Sequence, residues 1–592
     1  MAERKKQSLL TGAGVLAIAT VLVKIIGAIY KIPLINLLTP EGYGYFTGAY
    51  AVYNPLYAIS MAGLPIAVAK MVSQSIEAGR IKDAQRIFHV AQRLFFVVGL
   101  TGTVVLAMVA YPYSVMVKSP MNYVSVLAVA PCILFCCMMS SFRGYYEGLN
   151  NMTPTGVSQV IEAAVKFAFG LSATYICFNH WLNTYHEEAV DGVATVFGVE
   201  VKNEAEALSV MYPYAAAVAI MGVTLGSMLG LLYLFIRYKR KGFGFTREEL
   251  VNSPEADDDK NLRKSLIRIA APIALSSVVL NISNMIDDLT IRSRLAYALE
   301  TGLDTIKTMY ATALEASQTL DEGINNYLYG THGAALNIKN LIPTITLTLG
   351  ISAIPVLSAA WARKDKTDIK KAIETVLRVT MMIAMPAGLG IAAIPGPILE
   401  IIYSSQPEMI PIAAPMLRVY GLGIFLFAAT SPMTNMLQAV GRMDIPIKSI
   451  AAGSCAKILL NFILIGNPEI NINGAPISTT VCYIIIFVIN LTSLLRVTDV
   501  KIDFVSVYLK PFISAAACGI TAWGVNYIFT EKLMMESRIF TIIAIGAAAV
   551  VYAGLMLILK GIVKDDVEML PKGRKIAKIL AKFGLLGKNI PN

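Results

Sequence analysis

Histidine, cysteine and charged residues are scarce in this sequence. Only 15% of its 592 residues are charged, and only four are histidines. A metal site built on histidine is therefore not expected. The seven cysteines lie in apolar segments, and an odd number spread in this way does not form a disulfide framework. We expect no metal and no cofactor.

The motifs of common enzymes and of nucleotide-driven pumps are also missing. The sequence contains no phosphate-binding loop, no G-x-S-x-G, no H-E-x-x-H and no paired aspartates in a fixed frame. We therefore expect no catalytic residues, and we predict a transporter and not an enzyme. Without a nucleotide site, the energy source is expected to be a coupling ion (Na⁺ or H⁺) or the membrane potential.

Long apolar runs are abundant. The hydrophobic fraction is 56%, and runs of about 20 residues, each long enough to cross a bilayer as a helix, recur along the chain. The sequence thus predicts an all-α polytopic membrane protein that contacts membrane lipids. Fourteen spans are predicted, at about 8–37, 43–69, 88–117, 121–148, 155–179, 210–237, 266–291, 327–361, 372–403, 410–440, 445–466, 474–496, 504–530 and 537–562.

The basic residues predict the orientation in the membrane. With fourteen spans most basic clusters fall on one face, among them Arg4–Lys6, Arg80–Arg93, Arg143 and Arg363–Lys371. By the positive-inside rule this face is cytoplasmic, and both termini lie inside. Because these residues sit in short loops, the net charge of +11 does not indicate nucleic-acid binding.

Two pairs of similar segments indicate an internal duplication of the chain. Pro65 and Pro355 occupy similar apolar-then-basic stretches 290 residues apart, and Glu147–Lys166 resembles Gln438–Lys457 at a spacing of 291. Six spans per half give the halves one orientation, as in transporters with parallel repeats. The predicted domains are an N-terminal six-helix half, a cytoplasmic linker, a C-terminal six-helix half, two extra helices and a basic amphipathic cytoplasmic tail, at 1–240, 241–265, 266–500, 501–563 and 564–592.

No function is predicted for two polar segments, the acidic run of the linker and the segment after the seventh span. The acidic run Asp257–Asp259 in the linker could be imagined as a metal or sugar-nucleotide site, but no partner motif accompanies it, and a solvated acid run is the favoured interpretation. The outer segment Leu295–Asn326 is too polar to span, and we expect a short surface helix there.

Ionisable residues inside spans are costly and usually face a cavity. Lys24 lies deep in the first span without a neighbouring acid, which makes it the first candidate for an anion ligand. Glu162 and Lys166 stand four residues apart in the fifth span and could neutralise each other or bind substrate. Lys457, the repeat counterpart of Lys166, has no such acid and is predicted to face the cavity.

The seventh span carries a polar stripe on one helix face, formed by Ser277, Asn281, Asn284, Asp288 and Arg292. Such a stripe either lines water or seals a helix–helix contact. We favour the water-lined alternative, in which Asp288 and Arg292 can pair.

Two further residues join this set of cavity candidates. Asp287 stands next to the stripe and is left over when Asp288 and Arg292 pair. Lys339, in the eighth span, could line the cavity or extend towards the interface.

The order of these features resembles the MOP (multidrug/oligosaccharidyl-lipid/polysaccharide) exporter superfamily. The resemblance covers nearly the whole chain and is most specific in residues 54–93, which contain the turn GLPIAVAKMVSQSIEAGR, and in residues 327–380. Within the superfamily the chain is most similar to the stage V sporulation protein B and MurJ-like lipid II flippases of Gram-positive bacteria. The spans 504–530 and 537–562 resemble those that line a lipid-tail groove in such flippases.

The resemblance implies a function and a site. Members of this branch move undecaprenyl-diphosphate-linked sugars, such as lipid II, across the bacterial cytoplasmic membrane by alternating access. Cations in their first helices are proposed to hold the diphosphate, and Lys24 in Val23–Gly27 takes that position here, as a point charge in place of an arginine fork. The position of a second arginine in the first helix of family members corresponds to the region of Tyr30 and Lys31 in this chain. The neutral run Leu56–Ile59 replaces the cation of the second helix.

Three alternatives remain. A cation-coupled multidrug exporter of the same superfamily would have twelve spans and acidic cavity residues. A membrane glycosyltransferase or polymerase would need catalytic acids in a large outer loop, and a noncatalytic scaffold would not need buried charge. We expect a lipid-linked oligosaccharide as the substrate, a monomer as the functional form and no nucleic-acid partner.

Overall fold

The computed structural model describes residues 9–58, 60, 63–189, 192–242, 244–532 and 538–563. The predicted amphipathic tail at 564–592 lies outside the described residues. Within them the chain is almost entirely helical, which confirms the all-α fold class.

The helices fall into two compact units. The first comprises Met1–Ala296 and Leu314–Gly330, and the second comprises Tyr297–Ala313 and Thr331–Asn592. The first unit therefore extends past the predicted N-terminal half, because it includes the linker and the following helix as far as Ala296. The helices up to this point are α1 (Leu9–Ala58), α2 (Leu64–Glu77), α3 (Ile81–Met116), α4 (Asn122–Gly148), α5 (Thr153–Glu188), α6 (Glu204–Lys241), α7 (Arg247–Val251) and α8 (Asp259–Met309).

The second unit has its own apolar core, in which Leu377, Met381, Met433, Leu437 and Leu494 are buried together. The remaining helices are α9 (Ala311–Ala316), α10 (Ile324–Arg363), α11 (Lys366–Ala393), α12 (Pro395–Ile402), α13 (Ile410–Ala439), α14 (Asp444–Leu460), α15 (Gly474–Thr498), α16 (Lys510–Tyr527) and α17 (Arg538–Ile558). Single π-helical turns extend α14 and flank α16, at Asn461–Ile465, Val505–Leu509 and Ile528–Lys532.

Eleven helices of the described chain are long and apolar enough to cross a membrane. The chain is a multi-pass membrane protein, but the count of fourteen stays a prediction. The first predicted span and most of the second lie in the single element α1. The predicted spans 266–291 and 327–361 lie in α8 and α10, and these two helices are not among the eleven. The predicted surface helix is present in part as α9, while the residues before Met309 continue α8.

A local break divides α1 into two arms. Thr39 has φ 58° and ψ 171°, which no helix accommodates, and Pro40 opens the second arm. Proline suits the first turn of a helix, since its missing N–H would have no partner there and its φ is already helical. The break lets Lys24 and Tyr30 on the first arm and Tyr50 on the second line one cavity.

The segment between α5 and α6 contains the strands β1 (Ala194–Val196) and β2 (Val199–Val201), which pair antiparallel and were not predicted. After them Asn203 begins α6, because its side-chain oxygen accepts the Glu206 N–H at 2.9 Å. The last turn of α6 is basic, which suits both the helix dipole and the cytoplasmic side predicted for it.

The acidic run of the linker is not simply solvated. Asp259 pairs with Arg86 and, at 3.3 Å, with Arg93 on α3. The hydrogen bond from Arg86 holds the pKa of Asp259 below its ordinary value. The main-chain N–H of Asp257 donates to Asp83 at 2.7 Å. These contacts bind the linker to the N-terminal end of α3, which the charge pattern predicts to be cytoplasmic.

The start of α10 touches α1 backbone to backbone, since a Cβ built at Gly330 would lie 1.7 Å from the Pro40 carbonyl oxygen. We predict that Gly330→Ala lowers the free energy of unfolding by about 1–3 kcal/mol, the usual cost of overpacking. Gly390→Ala on α11 is the control, because nothing lies within 4 Å of its Cβ position. Thermal unfolding in detergent, followed with a thiol-reactive dye on the buried cysteines, measures both; equal melting temperatures would contradict the close approach.

Candidate functional site

The first unit contains a cavity of about 280 Å³ between α1, α4, α5 and α6. Three residues singled out from the sequence line it together: Lys24 on α1, and Glu162 and Lys166 on α5. The other lining residues are Thr20, Val23, Ile26, Gly27, Tyr30, Tyr50, Tyr53, Asn54, Tyr57, Arg143, Gln159, Ala163 and Val223. The described part of the lining therefore carries three cations and one carboxylate, and two positive charges are left in excess.

Close helix packing fixes the position of Glu162. A Cβ at Gly222 would lie 2.8 Å from the Cα of Gly170, and one at Gly226 would lie 2.6 Å from the Glu162 carbonyl oxygen. Small residues let the backbones of α5 and α6 approach in this way. Gln159, Glu162 and Lys166 recur at helical spacing on the α5 face that lines the cavity.

Glu162 pairs with Arg143 and not with Lys166. The Arg143 Nη2 donates to Glu162 Oε2 at 3.0 Å, and its Nε donates to Ser158 Oγ at 3.0 Å. Ser227 on α6 donates to the other Glu162 oxygen at 3.3 Å. The alternative in which Glu162 and Lys166 form an ion pair is therefore not supported by the contacts described. The sequence also placed Arg143 with the loop cations, whereas its side chain is only 2% exposed within α4.

Lys166 is held by aromatic rings. Its Nζ lies 5.0 Å from the ring centroid of Tyr30 and 5.1 Å from that of Tyr50. Cation–π contacts of this kind are worth about 0.5–2 kcal/mol each. They orient the ammonium group without neutralising it, so its charge is available to a ligand. Lys24 lines the same cavity and is half-buried.

The predicted polar stripe of α8 is part of a packed polar cluster in the first unit. Arg292 is fully buried, donates to Asn326 Oδ1 and lies 4.8 Å from the Tyr329 ring centroid. The Tyr329 hydroxyl donates to Asp288 Oδ1 at 2.9 Å. Gly48 leaves the space for the guanidinium, since a Cβ there would lie 2.0 Å from Arg292 Nη1. Arg292 thus lies buried in a contact between helices, which favours the alternative in which the stripe seals such a contact, and the water-lined stripe stays a prediction.

Two other candidates on α8, Asn281 and Asp287, are absent from the described cavity lining. Asn281 and Asp287 are half-buried on α8, and both have polar or electrostatic partners. The side chains of Asn284 and Ser277 lie outside the described residues. The structure does not bring any α8 residue into the described lining of the α1–α5 cavity.

The two remaining candidates lie in the second unit. Lys339 on α10 is buried against three rings, with Nζ 4.4 Å from the Phe427 centroid, 5.5 Å from Tyr420 and 5.4 Å from Tyr483. Lys457 on α14 is half-buried and has partners of its own. Each unit thus holds a lysine on aromatic rings, Lys166 in the first and Lys339 in the second. Lys457, the repeat counterpart of Lys166, makes no such contact among those described.

Sequence reasoning missed Arg143 and the tyrosines of the lining. Tyr50, Tyr53 and Tyr57 follow a three- and four-residue spacing that places them on one helix face. The charge of Arg143 within an apolar run was a further signal. Neither the tyrosine spacing nor the charge of Arg143 predicts which residues of other helices these side chains contact.

Comparison with known proteins agrees with this architecture. The family model described as polysaccharide biosynthesis protein matches residues 9–182, and the model described as MatE matches residues 329–463. Stage V sporulation protein B of Bacillus subtilis is 21% identical over 575 residues, covering 96% of this chain and 98% of the relative. Lipid II flippase MurJ of Bacillus subtilis is 23% identical over 579 residues, covering 93% and 95%. The chain is therefore similar to transporters of the MOP superfamily over nearly its whole length.

Solved structures show the same MOP fold. An inward-facing multidrug resistance MATE family transporter of the MOP superfamily has a TM-score of 0.59 at 13% identity, covering 81% of this chain and 95% of that one. Lipid II flippase MurJ in an inward closed conformation also has a TM-score of 0.59, at 14% identity, covering 92% and 98%. The equal scores mean that the fold does not separate the two kinds of MOP transporter, so the substrate must be argued from the site.

Proposed function

We propose that this MOP transporter moves undecaprenyl-diphosphate-linked sugars, lipid II or a related unit, from the inner to the outer leaflet. The observation that carries the proposal is the charge of the α1–α5 cavity, whose described lining holds Lys24, Lys166 and Arg143 against one carboxylate, that of Glu162. A sugar-linked diphosphate carries about two negative charges, which the two excess cations match.

The same charge argues against the multidrug alternative. A cationic drug would have to enter a low-dielectric cavity that already holds excess positive charge, and like charges repel strongly there. Aromatic rings favour cations in general, but two of the rings here are already occupied by Lys166. The alternative of a glycosyltransferase or polymerase has no support in this cavity, which offers one carboxylate, already bound to Arg143.

The relatives and the charge pattern support the wider setting of the proposal. In it, the transporter lies in the bacterial cytoplasmic membrane with both termini cytoplasmic, and alternating access moves the headgroup while the prenyl tail stays in lipid. The driving force is assigned to a Na⁺ or H⁺ gradient or to the membrane potential, which supplies about 2.3 kcal/mol per elementary charge per 100 mV.

Complementation tests the proposed function. The chain is expressed in a bacterium depleted of its lipid II flippase, with the Bacillus subtilis MurJ as positive control and an empty vector as negative control. We expect growth and lipid II exposure on the outer leaflet to be restored. A chain that accumulates in the membrane, restores neither, and instead lowers the accumulation of cationic drugs would contradict the proposal.

A further inference from the structure

Two tyrosines of the α1–α5 cavity, Tyr53 and Tyr57, make no described contact with Lys166, so diphosphate binding does not require their rings. Tyr50, Tyr53 and Tyr57 line the cavity from one face of α1. Their ring centroids are 5.8 Å apart between the first two and 5.2 Å apart between the last two. Tyr30 and Tyr50 hold Lys166 at one end of this row, and the rings of Tyr53 and Tyr57 are left for a ligand. A diphosphate needs cations and N–H donors, so a continuous aromatic wall points to another part of the ligand.

Polar atoms without a partner lie in the same wall. Within the described residues, Tyr50 Oη and Gln159 Oε1 are buried and have no hydrogen-bond partner. Leaving such an atom unsatisfied costs about 1–3 kcal/mol, and a bound ligand can supply the missing partner. The Asn54 side chain also lines the cavity, with an amide that can donate and accept. These groups suit a ligand rich in hydroxyls.

Rings flanked by amides and hydroxyls match the chemistry of a sugar. The C–H groups on one face of a pyranose carry partial positive charge and pack on the negative face of an aromatic ring. The sugar hydroxyls both donate and accept, as Tyr50 and Gln159 require. A free cation would be attracted to the same rings, but Lys24 and Lys166 already place positive charge there.

The size of the cavity limits how much of a glycan it can hold. Its volume of about 280 Å³ corresponds to roughly nine water molecules at ~30 Å³ each. This lies just below the usual range of about 300–1,000 Å³ for small-molecule pockets. A cavity of this size suits the diphosphate with its first sugar ring better than a whole oligosaccharide.

We propose that the tyrosine wall is a monosaccharide subsite, which binds the first sugar ring attached to the diphosphate of the transported lipid. The inference rests on the proposed function and adds the part of the substrate that is recognised. The cations take the diphosphate, the rings take one face of the sugar, and the rest of the headgroup lies outside this cavity. The transporter then distinguishes a sugar-bearing lipid from the same lipid diphosphate without a sugar.

Binding of two lipids to the purified full-length chain tests the subsite. The probes are undecaprenyl diphosphate and the same lipid carrying one N-acetylhexosamine, and calorimetry in detergent measures both affinities. We expect the wild type to prefer the sugar-bearing lipid. Tyr57→Leu should weaken its binding by about two- to tenfold, the range for an aromatic contact, and should leave the bare diphosphate lipid unaffected.

Three further variants separate binding from folding. Gln159→Leu removes the amide whose Oε1 has no partner, and it should reduce only the preference for the sugar-bearing lipid. Tyr57→Phe keeps the ring and should retain most of that preference. Tyr175→Leu is the matched control, because Tyr175 is 60% exposed on α5 and is absent from the cavity lining.

The outcomes distinguish the two proposals. A wild type that binds both lipids equally, or Tyr57→Leu and Gln159→Leu variants that lose both lipids equally, would overturn the sugar subsite and leave the diphosphate site standing. A wild type that binds neither lipid would overturn the proposed function and the subsite with it.

Discussion

Lys166→Met is expected to weaken the binding of an undecaprenyl-diphosphate-linked sugar by about tenfold to a hundredfold. A hydrogen bond to a charged group contributes about 1.5–3 kcal/mol, and each 1.4 kcal/mol is a factor of ten in affinity. Methionine keeps an unbranched side chain that can pack on Tyr30 and Tyr50, so the substitution removes charge more than contact. Calorimetry with the purified chain measures the loss, and a flipping assay should show transport falling in parallel.

Variants of the same residue and of Lys24 make this test specific. Lys166→Arg keeps the positive charge and should retain most of the binding. Lys24→Met with Lys166→Met leaves Arg143 and Glu162 as the only charges of the described lining, and the cavity becomes formally neutral. Binding by the double variant should then hardly depend on salt. Full affinity in Lys166→Met would show that the cation does not hold the diphosphate.

Arg143→Met is expected to destabilise the first unit by about 3–5 kcal/mol, the usual cost of removing one partner from a buried ion pair. The Glu162 carboxylate, whose side chain is only 18% exposed, would keep Ser227 as its single hydrogen-bond donor among the contacts described. Unfolding in detergent, followed by thiol exposure, measures the change. We expect a lower melting temperature than for any other single substitution considered above.

A double-mutant cycle isolates the pair. Glu162→Gln alone leaves the Arg143 guanidinium buried without its anion, and it too should be destabilising. The double variant Arg143→Met, Glu162→Gln should be more stable than the sum of the single effects predicts, by about 0.5–3 kcal/mol. Strict additivity would mean that the two charges do not interact, contrary to the 3.0 Å contact between them.

The membrane class and part of the site could be predicted from the sequence for simple physical reasons. Apolar runs of spanning length have few other uses, and this indicated the all-α membrane fold. A charge inside such a run is costly unless a cavity or a partner receives it, and this selected Lys24, Glu162 and Lys166. The structure places all three around one cavity.

The pairing of these charges could not be predicted, because it depends on contacts between helices far apart in sequence. The i, i+4 spacing suggested that Glu162 meets Lys166, yet Arg143, 19 residues away on α4, takes the carboxylate. Arg292 shows the same limit, since its position on a polar stripe suggested water, while Gly48 and Asn326 enclose it. Local spacing identifies the charged residues, and helix packing decides their partners.

The most direct test of the central claim is flipping in proteoliposomes that contain only the purified chain and a fluorescent undecaprenyl-diphosphate-linked sugar. Quenching from outside reports the fraction of label that reaches the outer leaflet under an imposed ion gradient or membrane potential. We predict flipping by the wild type and by Lys166→Arg, and little above empty liposomes by Lys166→Met. A well-folded wild type that does not flip the lipid, or a Lys166→Met variant that flips it at the wild-type rate, would contradict this account.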